Sequence, residues 1–309
     1  MSRRRSEGRV KAPLDPGISR GTPSSRSPVH EPVMVEEIVS FFRPSKPELV
    51  VDGTAGGGGH LAALMEAFPD AVFLAVDLDP EAIELVRGLL PASPGLHLVA
   101  AGYEEIPVIL SDLGLGKADA ALFDLGMSSI QLHDGSRGFA HSSDGPLDMR
   151  YDRGGATSAR DLVNLTAEAD LADLLWKWGE DSRSRAIARA IVRARPLETT
   201  SDLRSVVVRA CRGRPVKSLS RVFQALRIVV NDEMSRLSGL MNGLAGWTTP
   251  RARAAFITFH SIEDRAVKHF FRDSADFGPA TPPWLQACEE ERRRNPRSRS
   301  ARLRMVVRR

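Results

Sequence analysis

The run Leu49-Val50-Val51-Asp52 passes directly into Gly53-Thr54-Ala55-Gly56-Gly57-Gly58-Gly59-His60, and apolar residues at helical spacing follow from Leu61 to Phe68. A strand that ends on an acid, turns through glycines and enters a helix is the opening unit of an open parallel sheet. Its glycines let backbone approach a ligand closely at the carboxyl edge of the strands. The pattern recurs. A strand from Ala71 to Val76 ends at Asp77, and Asp79-Pro80-Glu81 opens a helix with a capping acid, a first-position proline and an early acid. Further strands cover Leu96 to Val99 and Ala120 to Phe123, the latter ending at Asp124. Strands alternating with helices predict an α/β fold, a parallel sheet covered on both faces.

After Asp124 the pattern changes. Residues 125 to 155 read as a Gly/Ser/Asp-rich loop, and residues 158 to about 212 as helices only. Thr166, Ser182 and Thr200 stand where helices should start. From about Ser220 one long helix places Phe223, Leu226, Val230, Met234, Leu237, Met241 and Leu244 on a single stripe. Ala254 to Phe259 restores the strand pattern, Ser261 caps a helix with Asp264 three positions on, and the stretch from about Asp273 to Arg299 looks irregular. Residues 1–28 are rich in Arg, Ser, Pro and Gly and lack the apolar surface that would offset ordering, so they predict a disordered basic tail. The expected domains are a sheet domain over 29–131 and 220–309, and a mostly helical insertion domain over 132–219.

Of 309 residues, 42% are hydrophobic and 27% charged, enough apolar material for a sizeable core. The longest apolar run falls far short of the roughly 18 residues that a membrane span needs. Cys211 and Cys288 are too far apart in sequence to suggest a disulfide framework or a zinc site, so no metal is expected, and a reducing cytoplasm suits the chain. The net charge is only +4, but its distribution is uneven. Residues 183 to 221 hold eleven Arg or Lys against two acids, and residues 292 to 309 hold nine arginines and no acid. Guanidinium groups in such density suit phosphate, which points to nucleic acid.

The glycine loop and Asp77 together mark an adenosine-type cofactor, since a carboxylate ending the second strand can accept hydrogen bonds from both ribose hydroxyls. A dinucleotide would call for a different glycine spacing and helix N-terminal amides for its pyrophosphate. The acid in Asp52-Gly53-Thr54 better suits the sulfonium and amino group of S-adenosylmethionine. Tyr103, after the third strand, either stacks on adenine or packs in the core. Asp124 emerges into the same crevice, where it can hold either the amino group of the cofactor or that of a nucleobase.

Several stretches resemble the ribosomal RNA small subunit methyltransferase H family. They are His30-Glu31-Pro32-Val33-Met34, the loop ending Gly58-Gly59-His60, Asp124-Leu125-Gly126-Met127-Ser128-Ser129 and Arg137-Gly138-Phe139. Further on come Asp144-Gly145-Pro146-Leu147-Asp148-Met149-Arg150, Phe223-Gln224-Ala225-Leu226-Arg227-Ile228, Phe259-His260-Ser261-Ile262-Glu263-Asp264-Arg265 and Asn295-Pro296-Arg297-Ser298-Arg299-Ser300-Ala301. The resemblance covers about His30 to Val307. It implies a Rossmann-like S-adenosylmethionine-dependent methyltransferase fold with a helical insertion domain. It also implies methyl transfer to N4 of a cytidine in the decoding region of 16S ribosomal RNA. Carried over by position, it assigns cofactor contacts to Gly58, Gly59, His60, Asp77, Asp124 and Gln131, and to Tyr103 where the family usually has phenylalanine. The chain departs from the family pattern at Ala55, at Ile130 and over Lys217-Ser218-Leu219-Ser220-Arg221.

A cytosine amino group is a poor nucleophile because its lone pair is delocalised into the ring. Acceptors for its two N–H groups would orient it, and Asp124, or a backbone carbonyl just after it, is the first candidate. Asp148 or His260 would receive the proton lost after transfer. The base would have to leave its stack to enter the crevice, and Trp176 and Trp178 stand where one could stack on RNA and the other join a core. The partner is then small-subunit ribosomal RNA or the assembled subunit, with no membrane, and the oligomeric state is left open. Two other classes compete: a nicotinamide-linked oxidoreductase on the same sheet, and a ribosome-assembly factor that kept the fold without the chemistry.

Overall fold

The computed structural model describes residues 31–211, 215–280, 282 and 284–309; the basic tail 1–28, His30, Arg212 and Arg214 lie outside them. A seven-stranded sheet runs through the molecule in the order β3-β2-β1-β4-β5-β7-β6. Its strands are β1 (Leu49–Asp52), β2 (Val72–Asp77), β3 (Leu96–Ala100), β4 (Ala118–Asp124), β5 (Thr248–Thr258), β6 (Phe277–Pro279) and β7 (Arg302–Arg308). The first five are parallel, and β7 lies antiparallel between β5 and β6. This is a Rossmann-like sheet. Its order reverses between β1 and β4, the switch point at which ligands of such sheets bind. All four residues of β1 are buried, as a strand covered on both faces requires.

The helices are α1 (Val35–Phe42), α2 (Gly59–Ala67), α3 (Pro80–Leu89), α4 (Ile106–Asp112), α5 (Ser129–His133), α6 (Ala159–Leu165), α7 (Glu168–Gly179), α8 (Ser184–Arg193), α9 (Thr200–Ala210), α10 (Pro215–Val230), α11 (Glu233–Trp247), α12 (Ser261–Asp273) and α13 (Glu289–Arg294). On one face of the sheet Phe42, Leu61, Leu64, Ile83 and Val86 form the core with Val50 and Leu122. On the other, Ile106, Leu240, Leu244 and Val267 pack on Val51, Phe123 and Phe256. A third core lies among the helices away from the sheet, with Leu171, Leu175, Ile187, Ile191, Leu203, Val222, Phe223 and Leu226 joined by Phe139, Leu147 and Met149 of the loop before α6. That core reaches through α10, beyond residue 219 where the sequence reading returns to the sheet. None of the described helices is long and apolar enough to cross a membrane.

Four expectations are corrected. The stripe read as one helix from Ser220 to Leu244 is two helices, because Asp232 takes a left-handed conformation (φ 48°) at the start of α11. Tertiary contacts impose the break: the Asn231 side chain accepts from Tyr151 N (2.7 Å) and donates to Met149 O (2.8 Å). Thr166 ends α6 rather than starting α7, whose N-cap is Ala167 with no side-chain bond. The N-cap of α12 is His260 rather than Ser261. Finally, the stretch 292–309 is not a free basic face. Arg304 and Arg302 pair with Asp264 at 2.7 and 2.8 Å, Arg294 pairs with Glu31 at 2.7 Å, Arg297 donates to Met127 O at 2.7 Å, and Arg308 donates to Thr248 O. These arginines stitch β7 and the segment before it onto the sheet and the cleft rim.

Candidate active site

A cleft of about 1390 Å³ opens at the carboxyl ends of the strands, and residues following β1, β2, β3, β4 and β5 all line it. Asp52 closes β1 and is 1% exposed. Its Oδ1 accepts from Thr54 N at 3.1 Å, while Oδ2 is buried without a hydrogen-bond partner. Thr54 Oγ1 in turn accepts from Asp124 N at 2.6 Å, so the loop after β1 is tied to the head of β4. The glycines permit this closeness. A Cβ on Gly53 would sit 2.4 Å from the Phe123 ring, and Gly58 has φ +76°. Gly59 and His60 line the cleft, whereas Gly58 serves the turn as N-cap of α2.

Asp77 closes β2. Its carboxylate accepts from Gly56 N at 2.8 Å and Asp79 N at 2.9 Å, joining the two loops. Burial pushes the carboxyls of Asp52 and Asp77 each up to about 6. His60 Nε2 lies 2.8 Å from Val33 O, a group that can only accept, so Nε2 carries the hydrogen. Nδ1 then faces Asp124 Oδ2 at 3.7 Å. Asp124 Oδ1 is buried and has no partner. Tyr103 packs edge-on against Phe123, with ring centroids 6.2 Å apart, and also lines the cleft; burial pushes its hydroxyl well above the ordinary range.

Gln131 also lines the cleft, but its amide is engaged within the protein. Oε1 accepts from Ser128 N at 2.9 Å, and Nε2 donates to Asp79 Oδ2 at 2.8 Å. Two expected proton acceptors do not reach the cleft lining. Asp148 is held by Arg150 at 2.7 and 3.0 Å; burial works to raise its pKa, but those bonds outweigh it and keep the carboxyl below its ordinary range, making it a weak base. His260 Nδ1 accepts from Glu263 N at 3.4 Å, and its Nε2 stands 2.9 Å from Glu263 Oε1.

Sequence reasoning gave no role to Arg227, Glu233 and Glu263, which the fold brings together. Arg227 donates to Glu233 at 2.7 and 3.1 Å and lies 3.8 Å from Glu263; Tyr151 Oη donates to Glu233 at 3.0 Å. Glu233, His260 and Glu263 offer ligand atoms within 4.8 Å of one another, a spacing that suits a cation. The Arg227 guanidinium supplies that positive charge from within the chain. No spacing signal could reveal this group, because it comes from α10, α11 and α12.

The unpartnered Asp52 Oδ2 and the glycine backbone fit S-adenosylmethionine, whose charged amino group calls for a buried anion and whose methionine portion calls for close backbone. Gly59, His60 and Asp77, which line the cleft, would hold it, with Asp52 buried behind the lining and bonded to Thr54 N of the loop. A cationic ligand binds the ionised forms of Asp52 and Asp77, so protonation of either competes with binding. Affinity for S-adenosylmethionine is therefore expected to be constant above pH about 7 and to fall by about tenfold or more per unit below pH 6. Calorimetric titration from pH 4.5 to 8 reads this, and a flat profile would separate both carboxylates from the cofactor.

The model of the MraW methylase family matches residues 27–309. A Deinococcus radiodurans protein named ribosomal RNA small subunit methyltransferase H is 41% identical over 281 residues, covering 89% of this chain and 88% of its own. Proteins of the same name from Methylobacterium nodulans and Coprothermobacter proteolyticus are 40% identical over 307 residues and 38% over 284. They cover 91% and 89% of this chain and 90% and 95% of their own lengths. The matched stretch contains every strand of the sheet and every wall of the cleft, so the chain belongs to the MraW methylase family and is a methyltransferase dependent on S-adenosyl-L-methionine.

Proposed function

We propose that this enzyme methylates N4 of a cytidine in the decoding region of small-subunit ribosomal RNA. The observation that carries the reading is Asp124 Oδ1, a buried acceptor with no partner at the head of β4. Glu233 and Glu263 line the same cleft, so the acceptor wall is rich in hydrogen-bond acceptors. Such a wall complements an amino group rather than a hydroxyl-rich sugar or a carbonyl. The bound cofactor supplies an electrophilic methyl group. Asp124 accepts one amine N–H and fixes the nitrogen, the rate comes chiefly from that positioning, and the proton shed once the N–C bond has formed passes to the same carboxylate. The base leaves its stack to reach the cleft. Methyl transfer to small subunits and to naked small-subunit RNA, followed by nucleoside digestion, is expected to yield N4-methylcytidine. A methyl group on any other atom would sink the assignment.

The helical unit is the proposed RNA-docking surface. Arg185, Arg189 and Arg193 share the exposed face of α8, while Ile187 and Ile191 are buried on the other. Arg189 meets Glu168 at 3.4 Å; both side chains are largely exposed and such a pair is weak. Trp176 is 59% exposed on α7 and could stack on a base, whereas Trp178 packs against the helical core. Replacing Arg185, Arg189 and Arg193 with glutamine leaves helix propensity nearly unchanged. It is expected to weaken RNA binding by about tenfold, to reduce the slope of log affinity against log salt by about 1 to 2, and to spare cofactor affinity. An unchanged slope and affinity would move the docking surface elsewhere.

A further inference from the structure

β5 ends at Thr258, and Phe259 and His260 lead into α12, whose first turn carries Glu263. This carboxylate is 2% exposed, yet it lines the cleft that Asp124 enters. Its Oε2 accepts from Phe259 N at 3.1 Å, and its Oε1 stands 2.9 Å from His260 Nε2 and 3.8 Å from Arg227 Nη2. Burial acts to raise its pKa, but the neighbouring His260 ring, the Arg227 guanidinium and the Phe259 N–H together prevail and hold the carboxyl below its ordinary range. Glu263 is thus kept as an anion inside the cleft, an acceptor with no proton to give.

Gly126 connects the two carboxylates. It lies two residues beyond Asp124, at φ +89°, and a Cβ there would meet the Arg227 guanidinium nitrogens at 3.7 and 3.8 Å and Glu263 Oε1 at 3.9 Å. The bare backbone leaves open the space beside Glu263 that a side chain would fill. An aromatic amine is planar, and its lone pair is perpendicular to the plane containing both N–H bonds. One acceptor fixes one N–H; two acceptors fix the plane.

We propose that Glu263 is a second acceptor for the target amine, holding one N–H while Asp124 holds the other. Arg227, reaching in from the helical unit, is the positioning residue that keeps this carboxylate charged and in place. The inference rests on the amino-group reading above and extends it to specificity. A uridine would set its carbonyl oxygen against two carboxylates, and that repulsion rejects it.

The test is binding, read with full-length enzyme saturated with S-adenosylhomocysteine. The probes are small subunits reconstituted on RNA carrying cytidine, uridine or pyrimidin-2-one riboside, which lacks the amine, at the mapped target. The wild-type enzyme should prefer cytidine to pyrimidin-2-one by tenfold or more. Glu263→Gln should lose about tenfold on cytidine, lose nothing on pyrimidin-2-one and narrow the gap to uridine, since a glutamine amide can donate to the carbonyl. Equal losses on cytidine and pyrimidin-2-one would mean that Glu263 is only structural and would overturn the proposal. A wild-type enzyme indifferent to the missing amine would instead remove the amino-group reading itself. If Glu263→Gln does not fold, Glu263→Asp keeps the charge but retracts it, and the same selective loss on cytidine is expected.

Discussion

Replacing Asp124 with alanine is expected to lower single-turnover methyl transfer by about a thousandfold or more, the scale at which loss of a key polar group in a preorganised site is felt. Two features of the fold set this expectation. The backbone N–H of Asp124 is anchored on Thr54 Oγ1 at 2.6 Å, a bond that the substitution leaves in place, so the loop geometry should survive. The side chain, by contrast, ends in an oxygen with no partner, and the other oxygen faces His60 at 3.7 Å. Its role is therefore toward a ligand. If Asp124 orients the acceptor amine, the variant still binds S-adenosylmethionine with nearly wild-type affinity and fails in the chemical step. If it holds the cofactor's own amino group, binding falls with activity. Calorimetry and single-turnover kinetics on the same variant distinguish these, and activity retained at saturating cofactor and RNA would remove Asp124 from the mechanism.

Asp77→Ala should weaken S-adenosylmethionine binding on the order of 100-fold, because hydrogen bonds to a charged acceptor contribute roughly 1.5–3 kcal/mol each. The structure adds a second source of loss. Asp77 accepts from Gly56 N and Asp79 N, so it also holds the glycine loop against the start of α3. Asp77→Asn offers one oxygen where two are used and should be intermediate. The fold should persist, since neither sheet face depends on this side chain. Unchanged affinity by calorimetric titration, with an unchanged melting profile, would show that Asp77 does not hold the ribose.

Much of this was legible from residue order. The strand ends at Asp52, Asp77 and Asp124 could be placed because a parallel strand buried on both faces is an unbroken apolar run, and the acid that ends it must emerge at the sheet edge. The cap at Asp79 was equally local: Asp79 Oδ1 accepts from Glu81 N at 3.0 Å, as the Asp-Pro-Glu order implies. Where local signals were read too far, tertiary contacts decided otherwise. The apolar stripe through Val230 and Met234 has helical period throughout, and only the pull of Tyr151 and Met149 on Asn231 breaks it. The nine arginines near the C terminus have the composition of an RNA-binding tail. Most are committed to acids and carbonyls far away in sequence, Asp264, Glu31 and Thr248 among them.

By itself, then, the sequence determined the five parallel strands, the glycine-rich first crossing and the acids at the carboxyl edge, because each depends on neighbours within about ten residues; the antiparallel strands β6 and β7, in a stretch that reads as irregular and basic, are set by pairing onto β5. Only the tertiary structure decided which polar groups share the cleft. It turned Asp148 toward Arg150, joined Gln131 to Asp79, and gathered Arg227, Glu233 and Glu263 from three helices around a bare Gly126. Burial of charge is the physical reason. A carboxylate taken out of water must find a cation or a donor, and which one it finds depends on what the packed helices bring within about 4 Å of it, not on its place in the chain.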